Sequence, residues 1–207
     1  AWLSGFQRKI HTFSFSVVPF LSVMTILGSI LLFQNDNDVL VILFALGFTM
    51  LFIAGAKWKH LGTIVLVALL GLSVIVMMRP HVLSRIKTFI DPSRDSLGAS
   101  YQIEQSLIAI GSGGITGRGF GQSVQKFSFL PEPIGDSIFA VYAEEFGFIG
   151  SVFLVLLFIF LALQGLRIAT RAPDLFGRLL ASGIVILITM QSLLNIGAML
   201  AVVPLIG

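Results

Sequence analysis

Long apolar stretches without Asp, Glu, Lys or Arg alternate with polar segments along the chain. Apart from His11 they contain no ionisable side chain, and they occupy residues 10–35, 39–56, 61–78, 146–166 and 179–207. An α-helix needs about 20 mostly apolar residues, within a range of roughly 17–25, to cross the hydrocarbon core of a bilayer. The pattern therefore predicts an all-α polytopic membrane protein with about five transmembrane helices, at 12–33, 39–56, 61–78, 138–166 and 179–203.

Composition supports a membrane protein and excludes several function classes. Of the 207 residues, 56% are hydrophobic and only 11% are charged, whereas a soluble domain has about 25% charged residues. Soluble enzymes and nucleic-acid-binding domains are therefore excluded, and the net charge of +3 comes from basic residues at the membrane edges. The absence of Cys excludes disulfides, thiolate metal sites and Cys nucleophiles. Because the chain starts at Ala1 and ends within an apolar run, we expect it to be a piece of a longer protein.

Basic residues in the short loops predict the orientation, because such loops stay in the cytoplasm. They lie before the first, after the second and after the fourth predicted helix, at Arg8, Lys9, Lys57, Lys59, Arg167, Arg171 and Arg178. The turn at 34–38 has none. We therefore expect residue 1 in the cytoplasm and the polar segment 79–137 outside. This gives three parts: three transmembrane helices in 1–78, a large extracytoplasmic loop in 79–137, and two transmembrane helices in 138–207.

The extracytoplasmic segment contains a charge-free stretch, 105–115, that is too short to cross a bilayer. Such a stretch is typical of a re-entrant or amphipathic interfacial helix. A glycine-rich run overlaps its end, from Gly111 to Gly121, and matches neither the dinucleotide-binding nor the P-loop spacing. Two interpretations stay open: a flexible turn beside a membrane-embedded helix, or a backbone that approaches a lipid diphosphate or a sugar.

Two carboxylates, Glu132 and Asp136, lie among prolines and glycine just before the fourth predicted helix. A carboxylate at this position is suited to act as a general base or a metal ligand. The alternative for Asp136 is a helix N-cap, a position that Asp favours.

Glu144 and Glu145 lie inside the same predicted helix. Acidic residues within a membrane span cost about 2.5–3.5 kcal/mol on insertion scales and usually face the bundle interior. They indicate either a functional site or pairing with a cation for packing. Consecutive residues are 100° apart around a helix, so the two side chains cannot point in one direction.

Other polar residues have weaker interpretations. Arg85 and Lys126 are the cations that we would pair with a diphosphate, although each taken singly is more often a solvated loop charge. Gln191 and Asn195 lie on one face of the last predicted helix, where polar side chains most often join helices. No H-E-x-x-H motif is present, so a zinc hydrolase is not supported.

Taken together, the motifs resemble those of the SEDS family (FtsW, RodA and SpoVE) over essentially the whole chain. They are Asp-Pro at 91–92, YQ at 101–102, QSL at 105–107, AIGSGG at 109–114, GRG at 117–119, SVQK at 123–126, LPE at 130–132, Asp136, IFA at 138–140 and EE at 144–145. The resemblance implies a ten-span peptidoglycan glycosyltransferase that polymerises lipid II, with the first helix here the family's fifth and the last its ninth. The SVQK segment is more similar to the FtsW branch, which implies septal cell-wall synthesis during cell division.

The resemblance also implies roles for particular residues. Asp136 would be the catalytic general base of an inverting transfer from a polyprenyl-diphosphate-linked disaccharide-pentapeptide. Substrate contacts would come from Arg85, Lys126, Gln102, Gln105, Ser106 and Glu132, and polar cavity positions from Glu144 and Glu145. Mg²⁺ or Mn²⁺ is the cofactor to consider, with no assigned ligands, and no nucleotide, haem or zinc is expected. Expected partners are lipid II, membrane lipid, a class B penicillin-binding protein (a transpeptidase) and other divisome proteins, in the bacterial plasma membrane.

Two segments depart from the family pattern. Residues 34–38 read QNDND where the family has QPD-x-GT, and residues 130–137 read LPEPIGDS where it has LPE-A-H-T-D-F. The aspartate is retained as Asp136, but the neighbouring His and Thr are not, so any role of these two is absent or supplied differently. Two alternative functions stay open: a lipid II flippase with Glu144 and Glu145 along its path, and a non-catalytic scaffold of the division complex.

Overall fold

All regular structure in the described residues is α-helical. A computed structural model describes residues 2–5, 9–34, 37–78, 99–128 and 130–204. In chain order the helices are α1 (Trp2–Gly5), α2 (Phe13–Gln34), α3 (Asn37–Ile53), α4 (Trp58–Met78), α5 (Ala99–Ser112), α6 (Gln125–Ser128), α7 (Ile138–Thr170) and α8 (Leu175–Met199). No β-strand occurs in these ranges.

Long apolar helices lie where the charge-free runs predict them. α2, α4, α7 and α8 are long and apolar enough to cross a bilayer, and α3 is apolar but shorter, with 17 residues. An α-helix rises about 1.5 Å per residue, so α3 reaches about 25 Å, near the lower limit for a membrane span. The described residues therefore form an all-α, multi-pass membrane protein fold, as predicted.

A helix, α5, is present where the sequence predicted a re-entrant or interfacial helix, although it begins at Ala99 rather than Gln105 and ends at Ser112. Ser106 and Ala109 are buried on one side of α5, whereas Leu107 and Ile108 are exposed. α5 therefore has one side packed inside the protein and another that exposes apolar side chains.

By their contacts, the described residues group into two compact units. The first is drawn from residues 1–79 and 161–190, and the second from residues 80–160 and 191–206. The division into parts at residues 78 and 137 stays a prediction about the membrane topology.

The first unit packs α2, α3 and α4 with the adjoining halves of α7 and α8. Its core contains Val17, Phe20, Leu51, Ile64 and Leu179. α3 ends in a Schellman turn, in which the Gly55 N–H donates to the Phe52 carbonyl at 3.0 Å and the Ala56 N–H donates to the Leu51 carbonyl at 3.1 Å. Gly55 has a φ of 88°, a conformation that glycine adopts without steric cost.

The second unit packs α5 against the first half of α7 and the end of α8. Its core contains Ala109, Leu130, Phe139, Ala140, Ile196 and Met199. This unit also contains the glycine-rich loop and the predicted site carboxylates Asp136, Glu144 and Glu145. It therefore contains the candidate site.

Candidate functional site

A break in α7 at Gly147 organises the second unit. Gly147 has φ 67° and ψ −164°, far from helical values, although helix continues on both sides. In an unbroken helix the N–H groups of Phe148 and Ile149 would donate to the carbonyls of Glu144 and Glu145, four residues earlier. The break leaves these four backbone groups without their helical partners.

The glycine-rich loop supplies a new partner for each of the four groups. Two loop N–H groups donate to the freed carbonyls, and two loop carbonyls accept from the freed N–H groups: Arg118 N to Glu144 O at 3.0 Å, Gly119 N to Glu145 O at 3.0 Å, Phe148 N to Gly114 O at 2.9 Å, and Ile149 N to Ile115 O at 3.1 Å. In hydrocarbon an unsatisfied backbone group costs several kcal/mol. The loop is thus inserted into the hydrogen-bond pattern of α7.

This insertion depends on glycine at the contact. A Cβ on Gly117 would collide with the backbone of Glu145 and Phe146, and a Cβ on Gly147 would collide with the Gly117 nitrogen. Gly113 likewise faces the Ala143 carbonyl too closely for a side chain. Close backbone approach to another protein segment therefore explains these three glycines.

The Glu144 side chain is fully buried and accepts four contacts from residues 118–125. Oε2 accepts from the Ser123 hydroxyl at 2.6 Å and from the Gln125 N–H at 3.3 Å. Oε1 accepts from the Val124 N–H at 3.2 Å and lies 3.4 Å from a guanidinium nitrogen of Arg118. A carboxylate suits this position because all four neighbours are donors.

The Glu145 side chain binds a second cation of the same segment. Its Oε1 lies 2.6 Å from Lys126 Nζ, which also donates to the Gly121 carbonyl at 3.2 Å. We call these five residues the inner acid cluster: Arg118, Ser123, Lys126, Glu144 and Glu145. The charges of its two carboxylates and two cations cancel. This agrees with the interpretation that Glu144 and Glu145 pair with cations for packing.

The turn before α7 is fixed by Ser137 rather than by the Asp136 side chain. The Ser137 carbonyl accepts from the Ala140 N–H at 3.0 Å, and its buried hydroxyl donates to the Pro131 carbonyl at 2.8 Å. Gln102 of α5 donates to the same hydroxyl at 3.1 Å. Ser137 thus occupies the cap position that the sequence offered to Asp136.

Asp136 is exposed, and its backbone is held by α8. The Asn195 amide donates to the Asp136 carbonyl oxygen at 2.8 Å. Within the described ranges, the Asp136 carboxylate has neither a hydrogen bond nor an ion pair. Asn195 was expected to join helices; it joins α8 to the turn that presents Asp136.

The other predicted site residues are only partly brought together. Gln102 and Ser106 lie on the α5 face near Ser137, and the Ser106 hydroxyl donates to the Gln102 carbonyl at 2.7 Å and contacts Met199 Sδ at 3.1 Å. Gln105 is half-buried on α5, and Glu132 is exposed with a φ of 44°. Lys126 belongs to the inner acid cluster instead. Arg85 lies outside the described residues.

Sequence reasoning missed three participants: Arg118, Ser123 and Ser137. Ser137 could have been predicted, since Ser directly before an apolar helix favours the N-cap position. Asp136, which favours the same position, was considered instead. Arg118 and Ser123 could not have been predicted, because their partner Glu144 lies more than twenty residues along the chain.

The described residues do not assign protein ligands to the expected Mg²⁺ or Mn²⁺. Within the described ranges, no group of three His, Cys, Asp or Glu side chains converges. Glu144 and Glu145 are already bound to cations of the protein.

Comparison with known proteins assigns the chain to a family. The match to the family model of the FtsW, RodA and SpoVE cell cycle proteins covers residues 1–207. The chain belongs to this family. The FtsW/RodA/SpoVE assignment agrees with the motifs around Asp136 and Glu144.

Individual relatives of the family give the same result. The chain is 40% identical to stage V sporulation protein E of Bacillus subtilis (strain 168), over 100% of the chain and 56% of the relative. It is 36% identical to a probable peptidoglycan glycosyltransferase FtsW of Geobacter sp. (strain M18), over 97% of the chain and 55% of the relative. A protein of that name from Tolumonas auensis is 38% identical, over 90% of the chain and 50% of the relative. The chain thus spans about half the length of the curated relatives it matches.

Proposed function

We propose that the full-length protein is a peptidoglycan glycosyltransferase that polymerises lipid II for septal wall synthesis, with Asp136 as its general base. The relatives named probable peptidoglycan glycosyltransferase FtsW support the reaction class. The observation that carries the proposal is the presentation of Asp136, whose carboxylate is exposed while its backbone is fixed.

The fixed backbone matters because a general base works only at a defined distance from the proton that it accepts. Asn195 holds the Asp136 carbonyl from α8, and Ser137, the next residue, is buried and bonded to Pro131 and Gln102. These contacts use backbone or neighbouring atoms and leave both carboxylate oxygens of Asp136 open to solvent or substrate. The turn therefore orients the base without occupying it.

The proposed reaction is a displacement at an anomeric carbon. The 4-hydroxyl of an acceptor sugar attacks the carbon that carries the polyprenyl diphosphate, and Asp136 accepts the hydroxyl proton. The new glycosidic carbon–oxygen bond forms as the bond to the diphosphate breaks, so undecaprenyl diphosphate leaves with the bonding electron pair. Attack opposite the leaving group inverts the anomeric configuration.

Charge that develops on the diphosphate requires cationic or hydrogen-bonding groups. Arg85 and Lys126 remain our candidates, with Gln102, Gln105, Ser106 and Glu132 along the remaining substrate path. Lys126 would have to bind the diphosphate while its ammonium stays 2.6 Å from Glu145. We also propose that Mg²⁺ or Mn²⁺ would help to hold the diphosphate.

The cellular context completes the proposal. We place residue 1 in the cytoplasm and Asp136 on the extracytoplasmic side of the plasma membrane, because the basic loops favour that orientation. The proposed partners are a class B penicillin-binding protein and other divisome proteins. The flippase alternative depended on Glu144 and Glu145 along a transport path, but both carboxylates have partners in residues 118–126.

Lipid II polymerisation by the full-length protein with its transpeptidase partner, in liposomes, tests this assignment. Asp136→Asn keeps the shape and the backbone contact to Asn195 but removes the base, so we expect the rate to fall by about 10²–10⁴. Glu104→Gln, a change at another exposed carboxylate of the same unit, is the matched control and should polymerise at the unsubstituted rate.

Three other outcomes of this experiment would contradict the proposal. Unchanged polymerisation by a folded Asp136→Asn protein would refute the role of Asp136. Transfer of labelled lipid II across the bilayer without chain growth would favour the flippase. Neither transfer nor growth, with normal assembly of the division complex, would favour the scaffold.

A further inference from the structure

The segment 113–128 exposes large apolar side chains that neither the site nor the core of the second unit uses. Ile115 is 70% exposed, Phe120 is 83% exposed and Phe127 is 77% exposed. Burying such side chains is favourable relative to leaving them in water. Three of them on one short segment indicate a surface that is covered in the working protein.

This apolar surface is continuous with the exposed face of α7. The Phe120 ring lies 6.1 Å from the Phe146 ring, and the Ile115 carbonyl accepts from the Ile149 N–H. Phe148 and Ile149 are themselves exposed. α7 is an apolar helix long enough to span a bilayer. The Phe120 ring therefore extends the exposed apolar surface of a helix suited to cross the membrane.

The position of the Gly147 break along α7 sets the depth of the loop. The charge-free run of α7 covers 146–166, and Arg167 and Arg171 follow it. At about 1.5 Å per residue this run is about 30 Å long, which matches the hydrocarbon thickness of a typical bilayer. With the arginines at one membrane edge, Gly147 lies at the other edge. The loop is bonded to residues 144–149 and so lies at the same level.

The charged residues of the segment are compatible with a position at the membrane edge. Arg118 is partly exposed, and Lys126 Nζ lies 5.1 Å from the centre of the Phe127 ring. Charged groups next to exposed aromatic and aliphatic side chains are typical of interfacial segments, and here both cations are paired with Glu144 and Glu145.

We propose that the segment 113–128 docks on the bilayer, inserting Ile115, Phe120 and Phe127 into the leaflet nearest the Ile138 end of α7. The occupant of this surface is membrane lipid. The segment thereby fixes the height of α5 and of the Asp136 turn above the membrane, because both belong to the same unit. The proposal does not require the glycosyltransferase activity.

Nitroxide labels at single cysteines measure depth directly. The full-length protein, with any cysteine outside this chain replaced, is placed in nanodiscs of phosphatidylethanolamine and phosphatidylglycerol. Labels replace Phe120 and Phe127 in separate variants. Phe153, exposed on α7, is the lipid control, and Glu104, exposed on α5, is the water control. The measured quantity is the ratio of collisions with apolar oxygen to collisions with a water-soluble nickel chelate.

We expect the oxygen-to-nickel ratio at 120 and 127 to lie nearer to that of Phe153 than to that of Glu104. A ratio equal to that of Glu104 would overturn the proposal, because the side chains would then be in water. Low collision rates with both reagents would also overturn it, because protein would then cover the surface. The labels replace exposed side chains, so misfolding is not expected, and agreement of the two sites guards against a local artefact.

Discussion

The buried carboxylate of Glu144 gives the sharpest test of the inner acid cluster. Glu144→Gln preserves size and shape but replaces one acceptor oxygen with an amide that donates. The two oxygens of Glu144 each accept from a backbone N–H, that of Val124 or that of Gln125. Whichever way the amide is turned, one backbone donor faces another donor.

The expected loss follows from that mismatch. Leaving one buried donor unsatisfied costs about 1–3 kcal/mol. Loss of the ion pair with Arg118 adds at most about 1 kcal/mol, because the Arg118 side chain is 41% exposed and solvent screens it. The Ser123 hydroxyl can rotate to accept instead of donate, so it contributes little. The total of about 1–4 kcal/mol corresponds to about a 5- to 900-fold increase in local opening.

Amide hydrogen exchange of the full-length protein in nanodiscs measures this opening. Peptides that cover 118–126 should exchange faster in the Glu144→Gln variant by the factor given above, whereas peptides from α2 and α4 should not change. Glu104→Gln, an exposed substitution on α5, should leave the exchange of 118–126 unaltered. If the exchange of 118–126 is the same in the Glu144→Gln variant as in the unsubstituted protein, the carboxylate does not hold this segment and our account of it is wrong.

Three further substitutions test neighbouring contacts. Gly147→Ala forces a side chain into a left-handed conformation and should lower stability by at least about 1–2 kcal/mol, seen as a lower unfolding temperature in nanodiscs; an unchanged temperature would argue against the break. Asn195→Leu removes the donor to the Asp136 carbonyl and should cost about 1 kcal/mol and reduce kcat for lipid II polymerisation more than it changes KM; equal effects on both would contradict a positioning role. Lys126→Met leaves the Glu145 carboxylate buried without its cation and should cost up to about 3 kcal/mol. The double variant with Glu145→Gln should be more stable than Lys126→Met alone in thermal unfolding, and the reverse order would contradict the pairing.

The helices could be predicted from the sequence because the membrane imposes one strong rule on composition. Charge-free runs located α2, α3, α4, α7 and α8, and the differences are at the ends. α3 ends at Ile53 rather than residue 56 because Gly55 closes a Schellman turn. α7 continues past Arg167 to Thr170 because a basic residue in the last turn is favourable there.

The site was less predictable because its decisive contacts join distant residues through backbone atoms. The sequence identified three unusual carboxylates, Asp136 just before the fourth predicted helix and Glu144 and Glu145 inside it. It could not tell that Gly147 breaks α7 while Gly150 and Gly165 stay helical. A glycine permits a break, but only a second segment that satisfies the freed N–H and carbonyl groups makes it stable.

The insertion of the glycine-rich loop into α7 has a consequence for how this protein tolerates change in chain length. In the loop, residues 116 and 117 separate the acceptors Gly114 and Ile115 from the donors Arg118 and Gly119; in the helix, residues 146 and 147 separate the two matching pairs. The equal spacing lets all four bonds form at once. Replacing the exposed side chain at Thr116 leaves every bond in place, whereas inserting or deleting one residue there shifts one pair against the other. This pairing therefore fixes the number of residues between the bonded groups, and it fixes residue identity at Gly117 and Gly147 but not at Thr116.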